Sequence, residues 1–236
     1  CLVGIWELAG AFARMGITLT VTPLYVGAIG MITCAWWLGS EGTLFALYIT
    51  VFVCAAWRLL DRRQESRMSD VVSSTFTAVY VPFLASFVVL MLAAWRDPWV
   101  FVVFELMVIA NDTGGWAAGV LFGKHPMAPA LSPKKSWEGF AGSALTAIGV
   151  GCVGLWLLGA AWWWGIVAGV SIAFVGTMGD LTESLIKRES GLKDMSHILP
   201  GHGGVLDRVD ALLMSAPVAY FIFAWALPGI SWESSH

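Results

Sequence analysis

Residues 184–210 gather side chains that suit a polyphosphate. The stretch carries the cations Lys187, Arg188, Lys193 and Arg208 and the aspartates Asp194, Asp207 and Asp210, set around His202-Gly203-Gly204. Cations can take the charge of phosphate oxygens, and aspartates can hold a hard divalent ion that keeps positions open for those oxygens. Asp207 and Asp210 are three apart, on one face if the segment is helical. Just upstream, Asp180, Glu183, Ser184 and Lys187 fall at i, i+3, i+4 and i+7. That is one stripe of a helix leading into the cluster, although a plain amphipathic helix end gives the same stripe. Gly176 and Gly179 precede it and permit close approach of backbone or ligand. Asp180 and Asp207 together are a candidate divalent site. Asp210 is a further candidate ligand, with a salt bridge to Arg188 or Arg208 as its alternative role.

Other segments add to this inventory. The turn Pro200-Gly201-His202-Gly203-Gly204 can present successive backbone N–H groups to an anion. His202 has three open roles: donor to phosphate, base, or cap of the next helix. In Ser132-Pro133-Lys134-Lys135-Ser136, two lysines between serines can meet phosphate, and Pro133 fits the first position of a helix whose N–H groups face an anion. For Lys124, ordinary basic flanking of a span is the preferred reading. Glu105 and Asp112 lie seven apart within an apolar run, and acids at membrane depth face a cavity or a partner. A structural contact between helices is the alternative for both. The run Asn111-Asp112-Thr113-Gly114-Gly115 is expected to loosen its helix locally.

What must position these residues is apolar. Of 236 residues 58% are hydrophobic and 12% charged, with mean hydropathy +0.77. Soluble domains carry about 25% charged residues, so a soluble globular protein is excluded. The formal net charge of −3 hides segregated charges. Cys1, Cys34, Cys54 and Cys152 form no C-x-x-C pair and suggest neither a zinc site nor a disulfide framework.

The fold class expected is all-α, a polytopic transmembrane helical bundle forming a single integral membrane domain over 1–236. Seven spans are expected, near 20–38, 43–60, 73–95, 98–122, 138–158, 162–186 and 211–227, with a partial or interfacial helix over 1–15. The chain opens at Cys1 already in apolar sequence, which leads us to expect a preceding N-terminal segment; no cleavable signal peptide is visible. Seven spans put Arg14, Arg58, Arg62, Arg63, Arg67, Lys124, Lys134, Lys135, Lys187, Arg188, Lys193 and Arg208 on one side and Arg96 on the other. The basic side is then cytoplasmic and the C-terminus outside. Tryptophans such as Trp36, Trp37, Trp95, Trp99 and Trp162 mark outer span ends, and Trp57 and Trp137 inner ones. Trp116, in mid-span, is expected near a site.

The run Ser184-x-Ile186-Lys187-Arg188, then Lys193-Asp194, then Leu199-Pro200-x-His202-Gly203-Gly204-Val205-x-Asp207-Arg208-Val209-Asp210 resembles the signature of the phosphatidate cytidylyltransferases. Asn111-Asp112 and the segment Ser132–Gly139 also look like features of that family. The resemblance implies transfer of CMP from CTP to phosphatidic acid, giving CDP-diacylglycerol and pyrophosphate in phospholipid biosynthesis. It implies Mg²⁺ on Asp180 and Asp207, with a second, monovalent cation such as K⁺ beside it. On that basis Asp180, Asp207, Lys187 and Arg208 are the catalytic candidates. Ser132, Lys134, Lys135, Ser184, Arg188, Lys193, His202, Gly203 and Gly204 are the substrate- and phosphate-binding candidates. Asp112 and Asp210 would order the site or assist the metal. Expected partners are CTP, phosphatidic acid and membrane lipids, with a homodimer as the candidate assembly and no nucleic acid. The expected location is a plasma membrane, the bacterial inner membrane, with the site facing the cytoplasm.

Two other readings compete. One keeps CTP and changes the acceptor to an isoprenoid alcohol or an ether lipid. The other is a cation-coupled transporter, which also uses intramembrane acids; against it, the charges gather at one face and no inverted repeat is visible. The charge asymmetry carries a test of its own. Single cysteines placed in residues 58–72 should be labelled by an impermeant thiol reagent only from the cytoplasmic side, and labelling from outside overturns this topology.

Overall fold

The computed structural model describes residues 1–61, 67–198 and 203–227. The elements run α1 (Leu2–Arg14), α2 (Val21–Trp37), α3 (Gly39–Leu60), α4 (Met68–Ala78), a π-helical turn (Val79–Phe83), α5 (Leu84–Trp95), α6 (Pro98–Phe122), β1 (Pro126–Ala128), β2 (Ser132–Ser136), α7 (Trp137–Leu157), α8 (Trp164–Glu189) and α9 (Leu206–Ala226). Among the described residues six helical stretches are long and apolar enough to cross a membrane: α3, the continuous rod Met68–Trp95, α6, α7, α8 and α9. Of the seven expected spans, the remaining one is α2, a shorter apolar helix of 17 residues. At 1.5 Å per residue it is about 26 Å long, at the lower edge of what spans a bilayer. Large apolar side chains such as Val26, Phe45, Leu121 and Leu145 point outward. Lipid tails solvate such surfaces, so the chain is a multi-pass, all-α membrane protein apart from one small hairpin.

Three local expectations are corrected. Ser132-Pro133-Lys134-Lys135-Ser136 is a strand, not a helix start; it pairs antiparallel with β1, Ser136 opposite Pro126 and Ser132 opposite Ala128. Helix α7 begins one residue later, and Ser136 caps it by accepting from the Gly139 N–H at 3.1 Å. The run 111–115 does not loosen α6, which is continuous over Pro98–Phe122. Trp116 is 71% exposed and lines no interior.

The chain packs as two compact units, the first of Cys1–Ala93 with Ile186–Val209, the second of Ala94–Leu185 with Asp210–His236. In the first unit, Pro82 sits in the rod Met68–Trp95 and lacks the N–H a regular turn would use; the π-helical turn absorbs that defect. A buried ion pair ties the basic end of this unit, with a longer contact of Arg58 to Asp61 at 3.5 Å beside it. Arg58 reaches Asp70 through Nη2 at 2.6 Å and Nε at 2.8 Å, and both side chains are buried. Asp70 also accepts from the Thr18 N–H at 2.9 Å, and Ser74 from the Thr20 N–H at 3.1 Å. Helices α3 and α4 and the α1–α2 connection are thereby joined by polar contacts that water cannot replace.

In the second unit α6 and α7 pack backbone to backbone. A side chain on Gly142 would strike the Ala118 Cβ and come within 2.7 Å of the Gly114 carbonyl oxygen. The closeness lets the Ser143 hydroxyl donate to the Asn111 carbonyl and the Thr146 hydroxyl to the Ala110 carbonyl, each at 2.7 Å. The Asn111-Asp112-Thr113-Gly114-Gly115 segment is therefore a small-residue packing face, as is common between membrane helices.

Removing Asp70 takes away the short, buried partner of Arg58 and leaves it the longer contact to Asp61 at 3.5 Å. Asp70→Ala should lower stability by about 3 kcal/mol, while Arg58→Met/Asp70→Leu recovers most of the loss. The measurement is thermal unfolding in detergent; a single variant as stable as wild type removes the clamp.

Candidate active site

In the second unit, the charged residues concentrate where α8 meets α9. Gly179 allows this: a Cβ there would lie 2.8 Å from the Asp210 carbonyl oxygen and 3.0 Å from the Met214 Cγ. One residue on, the Asp180 carboxyl comes within hydrogen-bonding reach of the Asp210 carboxyl, and Glu183 is close enough to act on Asp210 electrostatically. Asp210 is buried, and its Oδ2 has no hydrogen-bond partner among the described residues. Lys135, delivered by β2, forms an ion pair with Asp180. Asp112 on α6 accepts from the Asn111 amide at 3.1 Å and lies within electrostatic range of Asp180, Lys135 and Glu105. The buried Oε2 of Glu105 has no hydrogen-bond partner among the described residues.

The hairpin that delivers Lys135 is pinned at its base. Glu138 accepts from the Lys124 and His125 N–H groups, each at 3.2 Å, and contacts His125 Nδ1 at 2.5 Å. Lys134, next in line, is exposed, and Ser132 is half-buried at the strand start. Lys124 thus serves here through its backbone.

The first unit holds the other charged group. Lys187, in the last turn of α8, donates to Asp207 Oδ1 at 2.7 Å. Asp207 Oδ2 accepts from the Met195 N–H at 2.9 Å and the Gly204 N–H at 2.8 Å. Asp207 stands in the first turn of α9, so the signature's final residues open a helix instead of preceding it. Gly203 adopts φ +81°, a conformation that favours glycine. The turn expected to offer free amides to an anion is partly filled from within, because Asp207 takes the Gly204 N–H. Pro200, Gly201 and His202 lie outside the described residues. Arg188, Lys193 and Arg208 are exposed, and Ser184 is half-buried on α8.

One residue of this group escaped the sequence reading. Glu7 of α1 is 1% exposed and accepts from the Val205 N–H at 2.8 Å, the Leu206 N–H at 2.7 Å and the Ser196 hydroxyl at 2.5 Å. The signal was present: a lone acid in the apolar run Leu2–Phe12 is subject to the same argument as Glu105.

Asp180 and Asp210 belong to the second unit and Asp207 to the first. Among the described residues, no three His, Cys, Asp or Glu side chains are grouped to enclose a metal. What the second unit offers is a carboxylate pair with a buried, unpartnered oxygen. That donor set fits Mg²⁺, which is usually held by one or two carboxylates and completed by water and substrate phosphates, not by a full protein cage.

A multi-pass, all-α membrane protein that holds lysines against carboxylates in both of its units defines the class. The model of the cytidylyltransferase family matches residues 1–226. A phosphatidate cytidylyltransferase of Mycobacterium bovis is 40% identical over 235 residues, covering 94% of this chain and 76% of that protein. One of Mycobacterium leprae is 36% identical over 230 residues, covering 91% and 74%. One of Haemophilus influenzae is 39% identical over 155 residues, covering 61% and 54%. The chain belongs to the cytidylyltransferase family.

Proposed function

We infer that the protein is a membrane nucleotidyltransferase that converts CTP and phosphatidic acid to CDP-diacylglycerol and pyrophosphate. The observation that carries this reading is the ion pair of Lys135 with Asp180 beside the buried Oδ2 of Asp210, which has no hydrogen-bond partner among the described residues, in a chain related over nearly its whole length to phosphatidate cytidylyltransferases. A second pair, Lys187 with Asp207, sits in the signature segment.

The reaction forms a bond from a phosphatidate oxygen to the α-phosphorus of CTP and breaks the bond from that phosphorus to the bridging oxygen of the β-phosphate. Pyrophosphate leaves with the electron pair. A phosphate monoester is largely ionised at neutral pH, so the attacking oxygen needs no base. The protein's tasks are alignment and charge compensation. Lys135 and Lys187 are already held by aspartates, so their ammonium groups are placed before substrate arrives. Arg188, Lys193, Arg208 and Lys134 are the further cations proposed to meet phosphate oxygens, with Ser132, Ser184, His202, Gly203 and Gly204 as the remaining proposed contacts. Mg²⁺, held on Asp180 with Asp210 alongside, would neutralise charge on the phosphates. Asp207 retains the ligand role that the resemblance implies, with K⁺ or a similar ion as the second cation. Asp112 would order Asp180 from α6.

The proposed location is a bacterial plasma membrane, with the basic helix ends and the site at the cytoplasmic face, in keeping with the one-sided distribution of Lys and Arg. A homodimer is the assembly proposed.

Purified protein with labelled CTP, Mg²⁺ and phosphatidate should release pyrophosphate and form CDP-diacylglycerol; product only with another lipid acceptor refutes the substrate. Asp180→Asn and Asp210→Asn should each lower kcat/KM about 100-fold and raise the Mg²⁺ needed for half-maximal rate. Asp207→Asn should nearly abolish turnover while the protein stays monodisperse. A wild-type Mg²⁺ response in Asp180→Asn and Asp210→Asn would remove the metal assignment.

A further inference from the structure

Burying a carboxylate without partners is costly, so Glu7 on apolar α1 calls for an account. All three of its donors come from residues 196–206, some 190 positions further along the chain. Asp207 takes its donors from the same two short segments. Met195 N–H goes to Asp207 and the Ser196 hydroxyl to Glu7; Gly204 N–H goes to Asp207 and the next two N–H groups to Glu7. The two carboxylates thus stitch residues 195–196 to residues 204–206 from two sides. A Cβ on Gly204 would fall 3.0 Å from Asp207 Oδ2 and against Glu7 Oε1, so the glycine is where both acids close on the backbone. The N–H groups at the start of α9 have no helical acceptor, and Glu7 supplies one from another helix.

We propose that Glu7 is a positioning residue for the nucleotidyl transfer: by holding the Val205 and Leu206 amides and the Ser196 hydroxyl, it sets the first turn of α9, and with it Asp207 and the Lys187 ammonium that Asp207 holds. The amides of Val205 and Leu206 are on this view committed to Glu7 and do not bind substrate phosphate. The inference rests on the functional reading above, through the role given there to Lys187 and Asp207. It places the determinant of the signature segment's geometry outside that segment, on the first described helix.

Glu7→Gln keeps size and shape but turns one oxygen into a donor, which faces an N–H with another N–H. The variant, purified in detergent, should show KM for CTP raised about tenfold. Loss of folded protein alone would lower kcat and leave KM unchanged. Hydrogen exchange of peptides spanning residues 203–209 should quicken, while peptides from α6 and α7 keep wild-type rates. Glu7→Asp, a methylene shorter, should fall between wild type and Glu7→Gln. If Glu7→Gln does not fold, Ser196→Ala removes one donor and should raise KM for CTP about twofold, with faster exchange at 203–209. Wild-type KM and exchange in the folded Glu7→Gln variant, or in Ser196→Ala if it takes that variant's place, overturn the proposal. Should wild-type protein itself make no CDP-diacylglycerol, the functional reading fails, and unaltered exchange in the variants separately refutes the clamp.

Discussion

A carboxylate removed from water must find donors or a cation, and the charged architecture of this protein is organised by that requirement. Asp70 takes Arg58 and the Thr18 N–H; Glu7 takes two amides and a hydroxyl; Asp207 takes Lys187 and two amides. Glu7 lies 189 to 199 positions from its partners, Asp70 lies 52 from Thr18, and Asp207 lies 20 from Lys187. In an apolar bundle, hydrophobic burial does not discriminate well between one helix arrangement and another, since lipid tails solvate the same side chains. Directional contacts to a few acids do discriminate, so they fix which helix ends meet.

The second unit answers the same requirement differently. Its helices α6 and α7 come together through small residues and hydroxyl-to-carbonyl bonds, which need no charge. Asp180 has Lys135, yet among the described residues the buried Oδ2 of Asp210 has no hydrogen-bond partner. An incompletely satisfied buried acid is destabilising in isolation and useful where a cation is to be bound. The contrast between the anchored acids of the first unit and the buried Oδ2 of Asp210 in the second is the structural basis of the metal proposal. A rigid scaffold beside an electrostatically unfinished group is the arrangement that catalysis by charge compensation asks for.

Much of the architecture was legible beforehand. The spans could be read because a helix in lipid must be long and apolar, and the observed α6 coincides with the expected 98–122. The signature segment could be read because its charges are out of place beside apolar runs. Less legible was the strand at Ser132–Ser136: two lysines and a proline before a span look the same in a helix start and a hairpin, and only pairing with Pro126–Ala128 decides between them. The run 111–115 was misjudged because propensity counts the cost of glycine in an isolated helix, whereas here α7 packs directly on it.

Composition and spacing alone therefore determined that this chain crosses a membrane several times, where along it the basic residues gather, and which residues are candidates for phosphate chemistry. These properties follow from the side chains themselves, through transfer energies and helical periodicity. Tertiary structure alone decided what each acid touches: that Asp180 faces Asp210 and Lys135, that Asp207 holds a loop together, and that Glu7 reaches the start of α9. Such contacts join residues up to about 200 positions apart, and no local pattern encodes a hydrogen bond over that distance.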